Sequence, residues 1–181
     1  MKKETKNILK EYGIRPRKRL GQNFLISKHS LEKLVKASDL QKDDIVLEIG
    51  PGTGTLTKEL AQRARKIIAV EKDKRMINAL KKMLERWNIR NVEIVEGDIL
   101  KIKNLEFNKN LELKIKNYKV VANLPNYIAA PFIRIFLESS NPPKVMILMV
   151  QKEAGERICA SSPKMSKLAV FCQFFGKPEI I

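Results

Sequence analysis

Residues 44–54, Asp-Ile-Val-Leu-Glu-Ile-Gly-Pro-Gly-Thr-Gly, constrain the fold more than any other stretch of the chain. An apolar run without alternation enters a turn with glycines at 50, 52 and 54. A following segment then places Leu56, Leu60 and Ala64 on one helical face. Apolar residues at consecutive positions belong to a strand covered on both faces, as in a parallel sheet. Glycines let the backbone approach a ligand closely and take angles closed to other residues. The spacing is GxGxG, not the GxGxxG that seats a pyrophosphate on a helix N-terminus, so it predicts a nucleoside cofactor without pyrophosphate and disfavours nicotinamide chemistry.

The same strand-turn-helix unit recurs. A strand over 66–70 ends at Glu71, and a helix over about 75–87 carries Met76, Leu80, Met83, Leu84 and Trp87 as its core stripe. A third strand over 92–95 leads to Asp98. A carboxylate about 20 residues beyond the glycines is placed to accept hydrogen bonds from ribose hydroxyls, which assigns Glu71. Asp98 is placed to accept from an adenine amine, with Ile99 or Leu100 against the base. A further buried strand over 120–122 runs into Asn123-Leu124-Pro125-Asn126-Tyr127. Leu124 precedes a proline and is biased to extended backbone, which fixes the direction of its carbonyl. That turn can hold an amino group, and an ordinary turn is the alternative. Beyond it the pattern predicts a helix over 128–137 with Pro131 early, a fifth apolar strand over 145–150, helices over 151–158 and 167–175, and the start of a sixth strand at 178. The fold class is therefore α/β, a mostly parallel sheet with helices on both faces.

At 181 residues the chain is one domain by length, and its 44% hydrophobic and 31% charged residues are those of a globular protein. The net charge of +16 points to a polyanionic partner, nucleic acid before an acidic membrane surface. Residues 1–20 form a basic arm, for phosphate contact or as a solvated tail, and 21–181 form the main domain. In Gln22-Asn23-Phe24-Leu25, two amides beside an aromatic suit the grip of a small polar ligand. Ser27 caps a helix running to about 37, with His29 facing solvent. Cys159 and Cys172 have neither metal-ligand nor redox spacing, and no metal is expected. With neither a bilayer-length apolar run nor a secretory signal, a cytoplasmic monomer is the expectation.

The combination of Gln22-Asn23-Phe24-Leu25, Glu48-Ile49-Gly50-Pro51-Gly52-Thr53-Gly54, Glu71, Gly97-Asp98 and Asn123-Leu124-Pro125 resembles the ribosomal RNA adenine N6-dimethyltransferases. Tyr12-Gly13-Ile14-Arg15-Pro16 with Leu20-Gly21 is most similar to the bacterial small-subunit, KsgA type. The resemblance implies a Rossmann-like methyltransferase that transfers methyl groups from S-adenosylmethionine to the N6 amines of two adjacent adenosines in small-subunit rRNA, leaving S-adenosylhomocysteine, with the immature small subunit as partner. It places Gln22, Asn23, Leu25, Gly50, Gly52, Gly54, Glu71, Asp98, Ile99 and Asn123 around the cofactor, and Asn123 through Tyr127 at the reacting amine. With its two hydrogens held by the Asn123 side chain and the Leu124 carbonyl, the amine can turn its lone pair to the methyl group, by alignment and fixed dipoles alone.

Two departures accompany the resemblance. The family's tyrosine after Asn-Leu-Pro, which stacks on the flipped base, is Asn126 here, with Tyr127 one place later. The family also continues through a sixth and a seventh strand and a helical domain, so this chain is expected to be a fragment or short form that leaves the fifth strand with an open edge. A binding factor for rRNA with weak or no turnover is the alternative function.

Overall fold

Strands β1 (Ile45–Ile49), β2 (Lys66–Glu71), β3 (Val92–Glu96), β4 (Tyr118–Asn123) and β5 (Val145–Met149) lie parallel in one sheet, in the order β3-β2-β1-β4-β5. The computed structural model describes residues 2–15, 27–101 and 117–181. The helices among the described residues are α1 (Lys2–Glu11), α2 (Lys28–Ala37), α3 (Thr55–Ala61), α4 (Lys74–Arg86), α5 (Asn126–Leu137), α6 (Lys152–Ile158) and α7 (Lys167–Phe175), with a 3-10 turn at Ile99–Lys101.

Alternation along each strand divides the core in two. Val46, Ile67 and Val121 meet Leu31, Leu34 and Val35 of α2 and Leu56 and Leu60 of α3. Leu47, Ile68, Val120 and Ala122 point the other way, onto Phe132 and Phe136 of α5 and Cys172 of α7. The two phenylalanine rings stand 4.4 Å apart, and burying each stabilises by about 2–3 kcal/mol. Leu80 and Leu84 of α4 cover Ala69 of β2. Because β1 and β4 are covered on both faces, their central residues are apolar without alternation; Glu48 is the buried exception, while Lys119 and Asn123 lie near the ends of β4.

The N-terminal segment is docked. Ile14, with Leu9 and Tyr12, packs on Met76 and Ala79 of α4. Glu11 pairs with Arg86, and Lys82 lies 5.3 Å from the centre of the Tyr12 ring. From Glu11 to Ile14 the chain therefore climbs α4 towards its N-terminus, the end beside the carboxyl edge of the sheet.

Four expectations change. α5 begins at Asn126, not 128, because Pro125, at φ −60° and ψ 141°, closes the extended segment and the next residue opens the helix. Pro131 consequently sits in the second turn, on the solvent side. α3 stops at Ala61, so Ala64 joins the core from the loop that follows. Residues 178–181 form no strand: among the described residues they have no ladder partner, and Ile180 and Ile181 are exposed. β5 ends at Met149 and, paired only with β4, is partly exposed as an edge.

Candidate active site at the carboxyl edge of the sheet

Ile49 is in register with Val70 on one side and Ala122 on the other, so Gly50 and Asn123 leave adjacent strands side by side. The chain winds outward from β1 to β3 in one direction and from β4 to β5 in the other. Crevices of open α/β sheets form at such a reversal.

The three glycines serve different ends. Gly50, Gly52 and Gly54 all have positive φ, at 64°, 57° and 80°. A Cβ on Gly50 would meet nothing within 4 Å, so its surface is open to the crevice. A Cβ on Gly54 would lie 2.6 Å from Leu80 Cδ1 and 3.1 Å from Trp87. Gly54 is thus held by helix packing of α3 on α4.

Glu71 braces the turn. Its Oε1 accepts from the backbone N–H groups of Lys72 and Asp73, each at 2.9 Å, and the carboxylate also receives the Gly52 N–H. About four acceptor positions exist on a carboxylate, so roughly one is left for a ligand. Burial raises its pKa and outweighs the pull of the three N–H groups, and the Asp73 charge adds to the rise. Asp73 caps α4, accepting from Arg75 N–H, and pairs with the Arg75 guanidinium.

Asp98 follows β3. Its Oδ1 accepts from Leu100 N–H at 3.2 Å, and its Oδ2 lies 3.9 Å from Lys72 Nζ. Ile99 beside it is buried. On the other side of the crevice Asn123 ends β4, and Leu124, itself buried, donates its N–H to Met149 O at 3.1 Å. That bond leaves Leu124 continuing the ladder for one residue beyond Asn123. Tyr127, in the first turn of α5, is half exposed, and its hydroxyl receives Lys72 Nζ at 3.4 Å.

Gly50, Gly52, Glu71, Asp98, Ile99 and the backbone of Asn123 through Tyr127 therefore gather at one edge. Gln22, Asn23 and Leu25 lie outside the described residues, as does the Asn126 side chain. Two contributors were missed. Lys72 was hidden between the two acids of Glu-Lys-Asp, and Glu48 was passed over although an acid inside an apolar strand was a visible signal. Glu48 is 1% exposed, and burial pushes its carboxyl up to about 8.

A family profile described as ribosomal RNA adenine dimethylase matches residues 13–181. Ribosomal RNA small subunit methyltransferase A of Halothermothrix orenii is 38% identical over 178 residues, covering 97% of this chain and 58% of its own. The chain thus spans about three-fifths of that relative's length. Among solved structures, the 23S rRNA methyltransferase ErmE is similar with a TM-score of 0.68 and 28% identity, over 83% of this chain and 57% of its own. A dimethyladenosine transferase from Plasmodium falciparum gives 0.67 and 31%, over 83% and 51%.

Proposed function

The chain belongs to the ribosomal RNA adenine dimethylase family, and from that premise we propose that it carries the catalytic half of an adenine N6-dimethyltransferase acting on two adjacent adenosines of small-subunit rRNA. The observation that carries this reading is the adjacency of Gly50 and Asn123 at the reversal of the sheet, which puts a ligand-open turn beside an amide-bearing turn.

The residues suit S-adenosylmethionine. Open space above Gly50 admits a ligand against the backbone, Glu71 keeps an acceptor position for a ribose hydroxyl, and Asp98 with buried Ile99 offers an acceptor and an apolar wall for adenine. Gln22, Asn23 and Leu25 complete that site in this proposal, and Gly52 and Gly54 shape its floor. Bound there, the cofactor supplies a methyl group on a sulfonium, already a good leaving group.

The chain's own part is placement. The Asn123 amide oxygen and the Leu124 carbonyl accept the two amine hydrogens of the target adenine, which turns its lone pair out of conjugation with the ring. Pro125 holds that carbonyl in direction. Asn126 and Tyr127 border the flipped base, whose unstacking costs a few kcal/mol. The net charge of +16 supports an RNA partner by counterion release, and the immature small subunit is the proposed substrate for a cytoplasmic, monomeric enzyme. Among the described residues no helix is long and apolar enough to cross a membrane.

Incubation with labelled S-adenosylmethionine and under-methylated small subunits tests the reading. Dimethyladenosine in the recovered rRNA is the expected result. Cofactor binding without transfer favours a binding factor, and no cofactor binding removes the proposal.

A further inference from the structure

Among the described residues Glu48 is the most buried acid, and it lies in β1 two residues before Gly50, where the glycine turn begins. Its ladder neighbours Ala69 and Val121 bring no polar side chain. From α3 the facing group is Thr57, itself wholly buried; from β2 it is Glu71, another acid. The other charges nearby are engaged elsewhere: Lys58 lies over Trp87, Glu59 pairs with Arg63, and Asp73 pairs with Arg75. Glu48 Oε2 and Thr57 Oγ1 are both buried without a hydrogen-bond partner among the described residues.

Among the described residues no cation faces an ionised carboxylate in that position, so burial makes the neutral acid the favoured form. Burial is the main cause, Glu71 adds to it, and Thr57 is near enough to offset it only in part. As a purely structural residue Glu48 is poor, since an apolar side chain would fill the space without an orphaned carboxyl oxygen. Its place under a ligand-open turn gives the acid a use.

We infer that Glu48 is a masked negative charge: it holds its proton in the free chain and loses it to solvent when a positively charged ligand occupies the glycine turn. The inference rests on the cofactor reading above, because S-adenosylmethionine carries a sulfonium whereas S-adenosylhomocysteine does not. In the step the Glu48 O–H bond breaks, its electrons stay on the carboxylate and the proton goes to buffer. Binding of the methyl donor then strengthens as pH rises towards 8, and the neutral-sulfur product draws the proton out less.

Titration calorimetry of the 181-residue chain at pH 7, in two buffers of different ionisation enthalpy, counts the protons released on binding. For S-adenosylmethionine the expected release approaches one, with a ceiling of roughly 0.9 for an acid titrating about one unit above the working pH. S-adenosylhomocysteine should release clearly less. Glu48→Gln, isosteric and neutral, should bind both nucleosides with almost none. Equal release by wild type and Glu48→Gln, or none from either, overturns the inference while leaving the cofactor reading intact. Failure of wild type to bind either nucleoside takes down the cofactor reading and this inference together. Carbon NMR of the free chain gives a ligand-independent check: a Glu48 carboxyl titrating near 4.5 overturns the masked charge.

Discussion

Lys72 Nζ stands 3.4 Å from the Tyr127 hydroxyl and 5.8 Å from the centre of its ring, so a cation at the end of β2 reaches across the crevice to the first turn of α5. The same ammonium is 3.9 Å from Asp98 Oδ2. One side chain thus touches both the proposed adenosine side of the site and the side that receives the target base.

That contact leaves Tyr127 half exposed beside the crevice, and the proposed function gives its ring a flipped adenine to stack on. A base–aromatic stack is worth about 1–3 kcal/mol. Tyr127→Ala is expected to slow methyl transfer about tenfold or more, and Tyr127→Phe to keep most of it. Asn126→Tyr, which restores the ring the family carries at that position, is expected to raise transfer. Tritium incorporation into under-methylated small subunits measures all three, and an unaffected Tyr127→Ala would clear Tyr127 of any part.

Glu48 has a signature in stability. Its folded pKa of about 8 stands above the ordinary 4.5, so the folded chain binds the extra proton. The resulting stabilisation is complete below pH 4.5 and is lost as pH rises to 8. Glu48→Gln removes that dependence. Relative to wild type, the variant should melt several degrees higher at pH 8.5 and nearly level at pH 5, in paired thermal scans. A constant difference across pH would contradict this.

Lys119 anchors the opposite edge of the sheet. Its ammonium lies 2.9 Å from Asp44 and donates to the carbonyls of Ser38 and Asp39 at 3.2 and 2.6 Å. Burial raises the Asp44 pKa, yet the Gln41 N–H and Lys119 together bring it below the usual value. Lys119→Met strands an acid and two carbonyls, at a cost of about 2–4 kcal/mol in urea unfolding. Cofactor affinity should stay unchanged, since the site lies at the other end of the strands.

Gly50 and Gly54 separate under the same substitution. Gly54→Ala drives a methyl into Leu80 and Trp87 at positive φ and should destabilise by about 2–4 kcal/mol. Gly50→Ala meets open space, so its stability loss is about 1–2 kcal/mol from backbone strain alone. Its main effect should be on cofactor affinity. Melting temperature and dissociation constant, measured on both variants, distinguish the two roles.

The sheet was legible because β1, β2 and β4 are apolar at consecutive positions, and a strand buried on both faces leaves that trace in sequence. The crevice acids Glu71 and Asp98 were legible from their places at strand ends. Gly54 shows the limit. Its spacing matches a ligand turn, but what fixes it is Leu80, 26 positions away, and distant packing leaves no local pattern. Lys72 escaped for a related reason: its partners Asp98 and Tyr127 come from different units, and only the sheet order brings them together. The helical start at Asn126 was misplaced because a proline marks a boundary without saying on which side the helix begins.

Ile45 pairs with Tyr118 across the middle of the sheet, and this contact has a consequence for how the protein matures. The β1–β2–β3 half can assemble from neighbours in sequence. Joining β4 to β1 must instead pair residues more than seventy positions apart, and such non-local pairing slows folding. The glycine turn belongs to the early half and the Asn123 turn to the late one. Under the proposed function, a nascent chain therefore forms the turn that borders the methyl donor before the turn that receives the amine.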